Sequence, residues 1–435
     1  AILLPLVAGW LAISYAVYRQ YWPKKYFGLF LCHHKAAAGA LCRLIKMLVA
    51  RYSSTDVFLD CDHLEDLALL FTILRLSSKN VVVVLTEDLL RRMWCAGEIV
   101  TAFKNKVNTV VVKCGDFRVL DLQDTDEIDH FWTEDEKNLL AGHGISMDDV
   151  KEAYTWLGKV ETISLARFGG LEYREQAVEG MLSKCRLLSL GLSWHCRSDS
   201  TSVNPRILIT GAVKNAETLS ACEILQILLQ GIVYVECAVV QTADETRKLR
   251  PGAFYFVVLL TRGLLRDPGF AEILLSSGAG IETAAVRLPS GVSISDTVDS
   301  LEIVTVVADA TFQFPSAKFY ADLEQNGFGE VTNLGPSVGP RLARAYKAML
   351  NVLSLPFSPV GSQGLLKKQT SEIAGRFHRY KKKSVIAALD SAATGSKELC
   401  TALDEAEEMI AAVESQFEAG RAISGEAARG SKCSL

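Results

Sequence analysis

No CxxC pair occurs among the 11 cysteines of this 435-residue chain, and their spacing is irregular. A structural zinc site needs four clustered Cys or His ligands, so the common zinc modules are excluded. Cys32, Cys42, Cys222 and Cys237 lie inside hydrophobic runs, which reads as buried, reduced thiols of a cytosolic compartment. An excess of basic residues is also missing. With 46 Lys and Arg against 50 Asp and Glu the net charge is -4, and nothing points to nucleic acid as a partner. There is no GxxxxGK[ST], and "TGSKE" near residue 395 has no preceding glycine or strand, which removes a P-loop. No GxGxxG follows a strand and no GxSxG occurs, so a Rossmann dinucleotide site and an α/β-hydrolase elbow have no anchor.

Alternating strand and helix patterns are abundant. "YFGLFLC", "DVFLD", "NVVVVLT", "NTVVVKC" and "VETISL" read as strands, with helical apolar spacing between them. Continuous apolar strands separated by helices predict a parallel sheet covered on both faces. After the polar stretch "WHCRSDSTSVNPR" the pattern restarts with "RILITGA", "IVYVECAVV" and "GAFYFVVLLT". "VVLTEDLLRRMWCAGEIV" aligns with "VLLTRGLLRDPGFAEILL" once one residue is dropped, which predicts a tandem duplication with Glu272 in the place of Glu98.

The expected organisation is a membrane segment over 1–25, a first α/β domain over 26–190, a linker over 191–204, a weaker repeat over 205–355, and a helical or disordered tail over 356–435. The opening run "AILLPLVAGWLAISYAVY" has nearly the length of a bilayer crossing, and aromatic and basic residues gather at its exit in "RQYWPKK". Residues 2–18 are therefore expected in the membrane, with the remainder in the cytosol. The chain reads as the cytosolic end of a longer membrane protein.

Open α/β sheets bind ligands just past the C-terminal ends of their strands. That rule selects His33, His34 and Lys35 after the first strand, Asp60, Asp62, His63 and Glu65 after the second, and Thr86 and Glu87 after the third. Glu98 follows one short segment later. His33 and His34 leave a strand end on opposite sides, so no metal is expected there. Ordinary roles do not account for Glu98. Cys95 occupies the position a capping box would require, and Thr101 and Ala102 stand where ion-pair partners would be. Trp94, four residues earlier, is a residue able to shield a carboxylate and raise its pKa.

With strand, Trp94-Cys95-x-x-Glu98-Ile99, helix and strand in place, residues 26–114 resemble a TIR (Toll/interleukin-1 receptor) domain, and the rest of such a fold extends to near residue 190. "DVFLDCDHLED" resembles its second strand and BB loop. "CHHK" stands where the family often has Ser-aromatic-Arg, and the BB loop lacks its usual glycine. The resemblance implies a flavodoxin-like five-stranded sheet, duplicated here, and Glu98 as the catalytic acid of an NAD+ hydrolase that releases nicotinamide and ADP-ribose or a cyclic form. NAD+ would be the substrate, with no cofactor, and Trp94, His33, His34, Lys35, Asp60, Asp62, His63 and Thr86 would bind it. Other TIR domains and further copies of the chain are the expected protein partners, in signal transduction. The alternative is a TIR scaffold without enzymatic activity, which recruits other TIR domains by surface contact. A third reading is a relative acting on nucleotides other than NAD+ through the same Glu.

Overall fold

The computed structural model describes residues 26–63, 69–115, 117, 128–187, 204–278, 301–326 and 338–378. The expected membrane segment 1–25 and most of the tail lie outside them. Valine-rich segments form the centre of a first sheet. Its strands are β1 (Phe27–Cys32), β2 (Val57–Phe58), β3 (Ser78–Leu85), β4 (Asn108–Cys114) and β5 (Thr162–Leu165), hydrogen-bonded in the order β2-β1-β3-β4-β5. Every pairing is parallel, with Cys32 opposite Val83 and Val83 opposite Val111. Val81–Val84 are buried, as expected of a strand covered on both faces.

A second sheet repeats the plan. Strands β6 (Ile207–Thr210), β7 (Cys237–Val239), β8 (Tyr255–Leu260), β9 (Glu302–Val307) and β10 (Leu355–Pro356) run in the order β10-β9-β8-β6-β7, all parallel. Renumbered from β6, both sheets have the order 2-1-3-4-5, the flavodoxin-like arrangement. The duplication is therefore a duplication of topology. Two segments differ from the expectation. "IVYVECAVV" is not a single strand, because helix Ala216–Val233 runs into it and stops at Tyr234, which adopts left-handed φ 52°. "LPFSPVGSQGLLKKQ" does not open a separate tail. It supplies β10 and the start of helix Gln363–Ala374, so the unit containing both sheets extends to Arg376.

Chain order gives the helices α1 (Lys35–Tyr52), α2 (Asp60–His63), α3 (Leu70–Thr72), α4 (Met93–Lys104), α5 (Glu134–Gly142), α6 (Met147–Leu157), α7 (Leu171–Lys184), α8 (Ala216–Val233), α9 (Ala243–Leu249), α10 (Pro268–Ser277), α11 (Ala317–Asn326), α12 (Val338–Leu350) and α13 (Gln363–Ala374). Capping boxes fix the starts of α5 at Thr133/Glu136, α6 at Ser146/Asp149 and α9 at Thr242/Glu245. Among the described residues α8 alone is long and apolar enough to cross a membrane. Its apolar length is used in packing against α1 and α13, and it carries two acids that face the first half.

Those acids join the halves. Arg174 on α7 and Glu223 on α8 form an ion pair with side chains only 1% and 3% exposed, and Arg174 also donates to the Arg167 carbonyl. Burial raises the Glu223 pKa even against the pull of Arg174. Glu217 accepts from the backbone N–H groups of Ala40 (2.7 Å) and Leu41 (3.4 Å), and from Arg167 Nη2 at 2.9 Å. Those amides lie just past a break in α1, where Ala38 leaves the helical region at φ -146°. The carboxylate of one half thus caps the resumed helix of the other. Next to it Gly39 admits Val360, since a Cβ there would stand 2.7 Å from Val360 Cγ1.

Candidate functional site

The first sheet places its polar residues where β1, β2 and β3 end. Beyond β1 and β2, at the mouth of α4, lies a cavity of about 190 Å3 whose wall includes His33, His34, Lys35, Asp60, Trp94 and Glu98. Six of the residues selected from the sequence are brought together. Phe30, Phe58 and Leu70 form its apolar floor and side. Trp94 is tilted against Phe71 with centroids 5.7 Å apart, and both rings contact His143 edge-on. Gly97 makes this possible, because a Cβ there would collide with the Phe71 ring.

Glu98 sits on the first turns of α4, 7% exposed, and its Oε2 has no hydrogen-bond partner. Burial drives its pKa up, the adjacent Cys32 side chain pulls back, and the charge of Asp60 raises it further, to about 8. At neutral pH the free site therefore holds a carboxylic acid, as buried acids without a cationic partner do. Cys32 Sγ, Cys95 Sγ and a Glu98 oxygen lie within 4.8 Å of one another. Both thiols are already engaged, Cys32 donating to the Cys95 carbonyl at 3.9 Å and Cys95 to the His33 carbonyl at 3.4 Å. Burial raises the Cys32 pKa well above the ordinary thiol value. Metals take thiolates, and burial holds Cys32 as the thiol, so this three-donor cluster is a poor metal centre. It reads instead as the polar lining that holds Glu98 in place.

The histidines are held separately. His33 Nδ1 lies 3.1 Å from the Leu31 carbonyl, and its Nε2 faces Asp60 Oδ1 at 3.9 Å. His34 Nε2 accepts from Arg92 Nε at 2.8 Å. Burial lowers both pKa values, with Asp60 opposing the change at His33 and Arg92 reinforcing it at His34. Two neutral imidazoles thus border the cavity beside exposed Lys35 and Arg92.

Asp62 and Thr86 lie elsewhere. Arg43 grips Asp62 with Nη1–Oδ2 2.6 Å and Nη2–Oδ1 2.7 Å, and Lys46 adds a contact at 2.8 Å. Burial disfavours its charge, but these bonds outweigh that and hold it at about 2. Asp62 anchors the turn after β2 to α1, which corrects its assignment to the ligand site. Thr86 is fully buried beneath the end of β3 and does not line the cavity. His63 ends α2, and Glu65 lies outside the described residues. Arg92, Cys32 and Cys95 join the site without having been selected. Arg92 was visible only as one half of "RR".

The second half corrects the aligned acid. Cys32 and Thr210 both close a first strand, opposite Val83 and Val258. The 3₁₀ turns Leu89–Arg91 and Leu264–Arg266 and the helix starts Met93 and Pro268 keep that same offset, with no residue dropped. Ile273, not Glu272, therefore occupies the position of Glu98. One residue on a helix is a rotation of about 100°, and Glu272 is half-buried on another face. Cys95 corresponds to Phe270, which is fully buried and stacked on Tyr346 at 6.2 Å. The acid and its polar lining have become an apolar plug.

No protein-family model matches the chain, and none of the curated proteins matches it either.

Proposed function

We propose that this chain is a TIR-like NAD+ glycohydrolase whose first half carries the reaction and whose second half is a degenerate TIR-like repeat. The observation that carries the proposal is Glu98: an acid with an unpartnered oxygen, buried at the end of a parallel sheet beside Trp94 and sharing a cavity with Lys35 and Asp60. A scaffold has no use for an unsatisfied buried acid, which costs stability.

Cleavage breaks the bond between C1′ of the ribose and the nicotinamide nitrogen. The electron pair leaves with nicotinamide, which departs neutral and needs no strong acid. Positive charge develops on the ribosyl centre, as in glycoside hydrolysis. Ionised Glu98 stabilises that charge and accepts hydrogen bonds from ribose hydroxyls. Water then adds at C1′ and releases one proton, giving ADP-ribose. Attack by an adenine nitrogen gives the cyclic product. The cationic substrate favours ionisation of Glu98 on binding.

The cavity is below the ~300 Å3 of ordinary small-molecule sites, so it takes the nicotinamide-ribose end, and the remainder of NAD+ lies across Lys35 and Arg92. A neighbouring copy of the chain completes the wall, and residues 1–25 gather copies on a membrane. The test is NAD+ loss and nicotinamide release by the full chain at several concentrations, against Glu98→Ala. Activity that rises with concentration and vanishes in the variant is expected. Intact NAD+ with assembled wild-type protein overturns the proposal.

A further inference from the structure

The second half has lost its acid but not its crevice. A groove lies over the C-terminal ends of β8 and β9, with a volume of about 810 Å3 and Arg262, Arg266, Phe312, Phe314 and Phe319 among its walls. A second hollow of about 410 Å3 lies over the ends of β6 and β8, bounded by Lys214, Asn215, Arg262, Arg266 and Asp267. Arg262, Gly263 and Arg266 line both, so the two are neighbouring parts of one trough that share this wall. Its inner end is at the point where the strand order reverses, between β6 and β8, where open α/β sheets take ligands.

Cations outnumber acids in the trough. Lys214, Arg262 and Arg266 are exposed, and none makes an ion pair among the described residues. The acids beside them are already used. Asp267 accepts from Gly269 N at 2.9 Å and Lys214 N at 3.2 Å, capping α10. Asp309 takes Arg262 N at 3.1 Å and the Thr311 hydroxyl and amide at 2.8 Å. The start of α8 adds its positive dipole end to the inner hollow. At the outer end Phe312 and Phe314 stand edge to face at 5.2 Å, and Phe314 is 62% exposed. Cations at one end and bare aromatic faces at the other match a ligand with phosphates and a flat base.

We infer that this trough is a binding site for a nucleoside phosphate, with the phosphates on Lys214, Arg262 and Arg266 and the base against Phe312 and Phe314. The site performs no chemistry, since no acid or nucleophile faces the phosphates unengaged among the described residues. It does not depend on the cleavage reaction proposed for the first half.

The experiment uses the full chain carrying Glu98→Gln, titrated calorimetrically with ATP, pyrophosphate and adenosine at two salt concentrations. ATP is expected to bind at one site per chain, more weakly at high salt, and pyrophosphate less tightly. The Arg262→Gln/Arg266→Gln pair should weaken ATP at least about tenfold, or roughly 1.4 kcal/mol. Lys214→Gln, a milder single change, should weaken it in the same direction if the pair does not fold. Phe312→Ala should weaken ATP but leave pyrophosphate unchanged. Lys35→Gln, in the first half, should leave ATP binding intact. No heat from ATP up to about 1 mM, equal affinity in the Arg and Lys variants, or loss of binding in Lys35→Gln overturns the inference.

Discussion

The two halves share strand order, a 3₁₀ turn after the third strand and a helix that begins at the same offset, yet their ligand edges are opposites. In the first half Cys32 and Cys95 flank the acid Glu98 beside a cavity. In the second, Thr210, Phe270 and Ile273 occupy the corresponding positions, all fully buried, and no acid stands among them. On the rim, Glu87 and Asp88 of one half correspond to Arg262 and Gly263 of the other. The sheet tolerates both because its register is set by the valine-rich strand interiors. Residues just past the strand ends contribute little to that register, so their charge is free to follow a ligand.

The largest effect should come from separating the halves. Arg174→Met leaves Glu223 buried without its cation and should cost about 3–5 kcal/mol in urea unfolding of the full chain. Adding Glu223→Leu should recover most of it. A loss under about 1 kcal/mol in the single variant would mean that the halves are held by apolar contact alone. Next comes the asymmetry of the acids. Glu98→Gln should lower NAD+ cleavage by about 10²–10³-fold, whereas Glu272→Gln should leave the rate within about a factor of two, since Glu272 occupies no equivalent site. Equal losses would restore the symmetric alignment.

The pH dependence sharpens the contrast further. Because the folded pKa of Glu98 is about 8 against an ordinary 4.5, the native state holds a proton the unfolded state releases. Stability from this group is full below about pH 4.5 and is lost as pH rises through 8. Glu98→Gln should flatten that decline, by about 1.4 kcal/mol for each unit removed, in melts taken from pH 5 to 9. In the wild type, kcat/KM should climb with pH and level off above about 8, the pKa of the free site. The smallest effect is expected at Asp62. Asp62→Asn should cost about 1–3 kcal/mol with KM for NAD+ unchanged, because its partners are Arg43 and Lys46. Its folded pKa of about 2 is depressed, so its contribution is present above the unfolded value and fades as pH falls toward 2.

Much of this was legible in the chain. Unbroken runs such as "NVVVVLT" and "GAFYFVVLLT" can only be buried parallel strands in this setting, and Trp94 with Glu98 marked the site by spacing. The rest was hidden for identifiable reasons. Ile232 and Val233 favour strands by propensity, yet α8, packed on α1 over its earlier turns, continues through them and stops only at Tyr234. β10 is two residues long and has no period to detect. The Cys32–Cys95 contact spans 63 residues and leaves no local trace. Dropping one residue to match the letters of Glu98 and Glu272 ignored helix phase, which admits no silent deletion. Asp62 shares a loop with Asp60, but their side chains diverge, one to the cavity and one to Arg43.

The cap that Glu217 places on α1 bears on the order in which the protein is made. Residues 26–190 are synthesised before Glu217, so until it is added the Ala40 and Leu41 amides lack their cap, beside the segment that carries His33, His34 and Lys35. Domains tend to fold as they emerge, N-terminal first. Here the helix that follows the site receives its cap from a residue of the later half, so a chain ending before Glu217 lacks that contact.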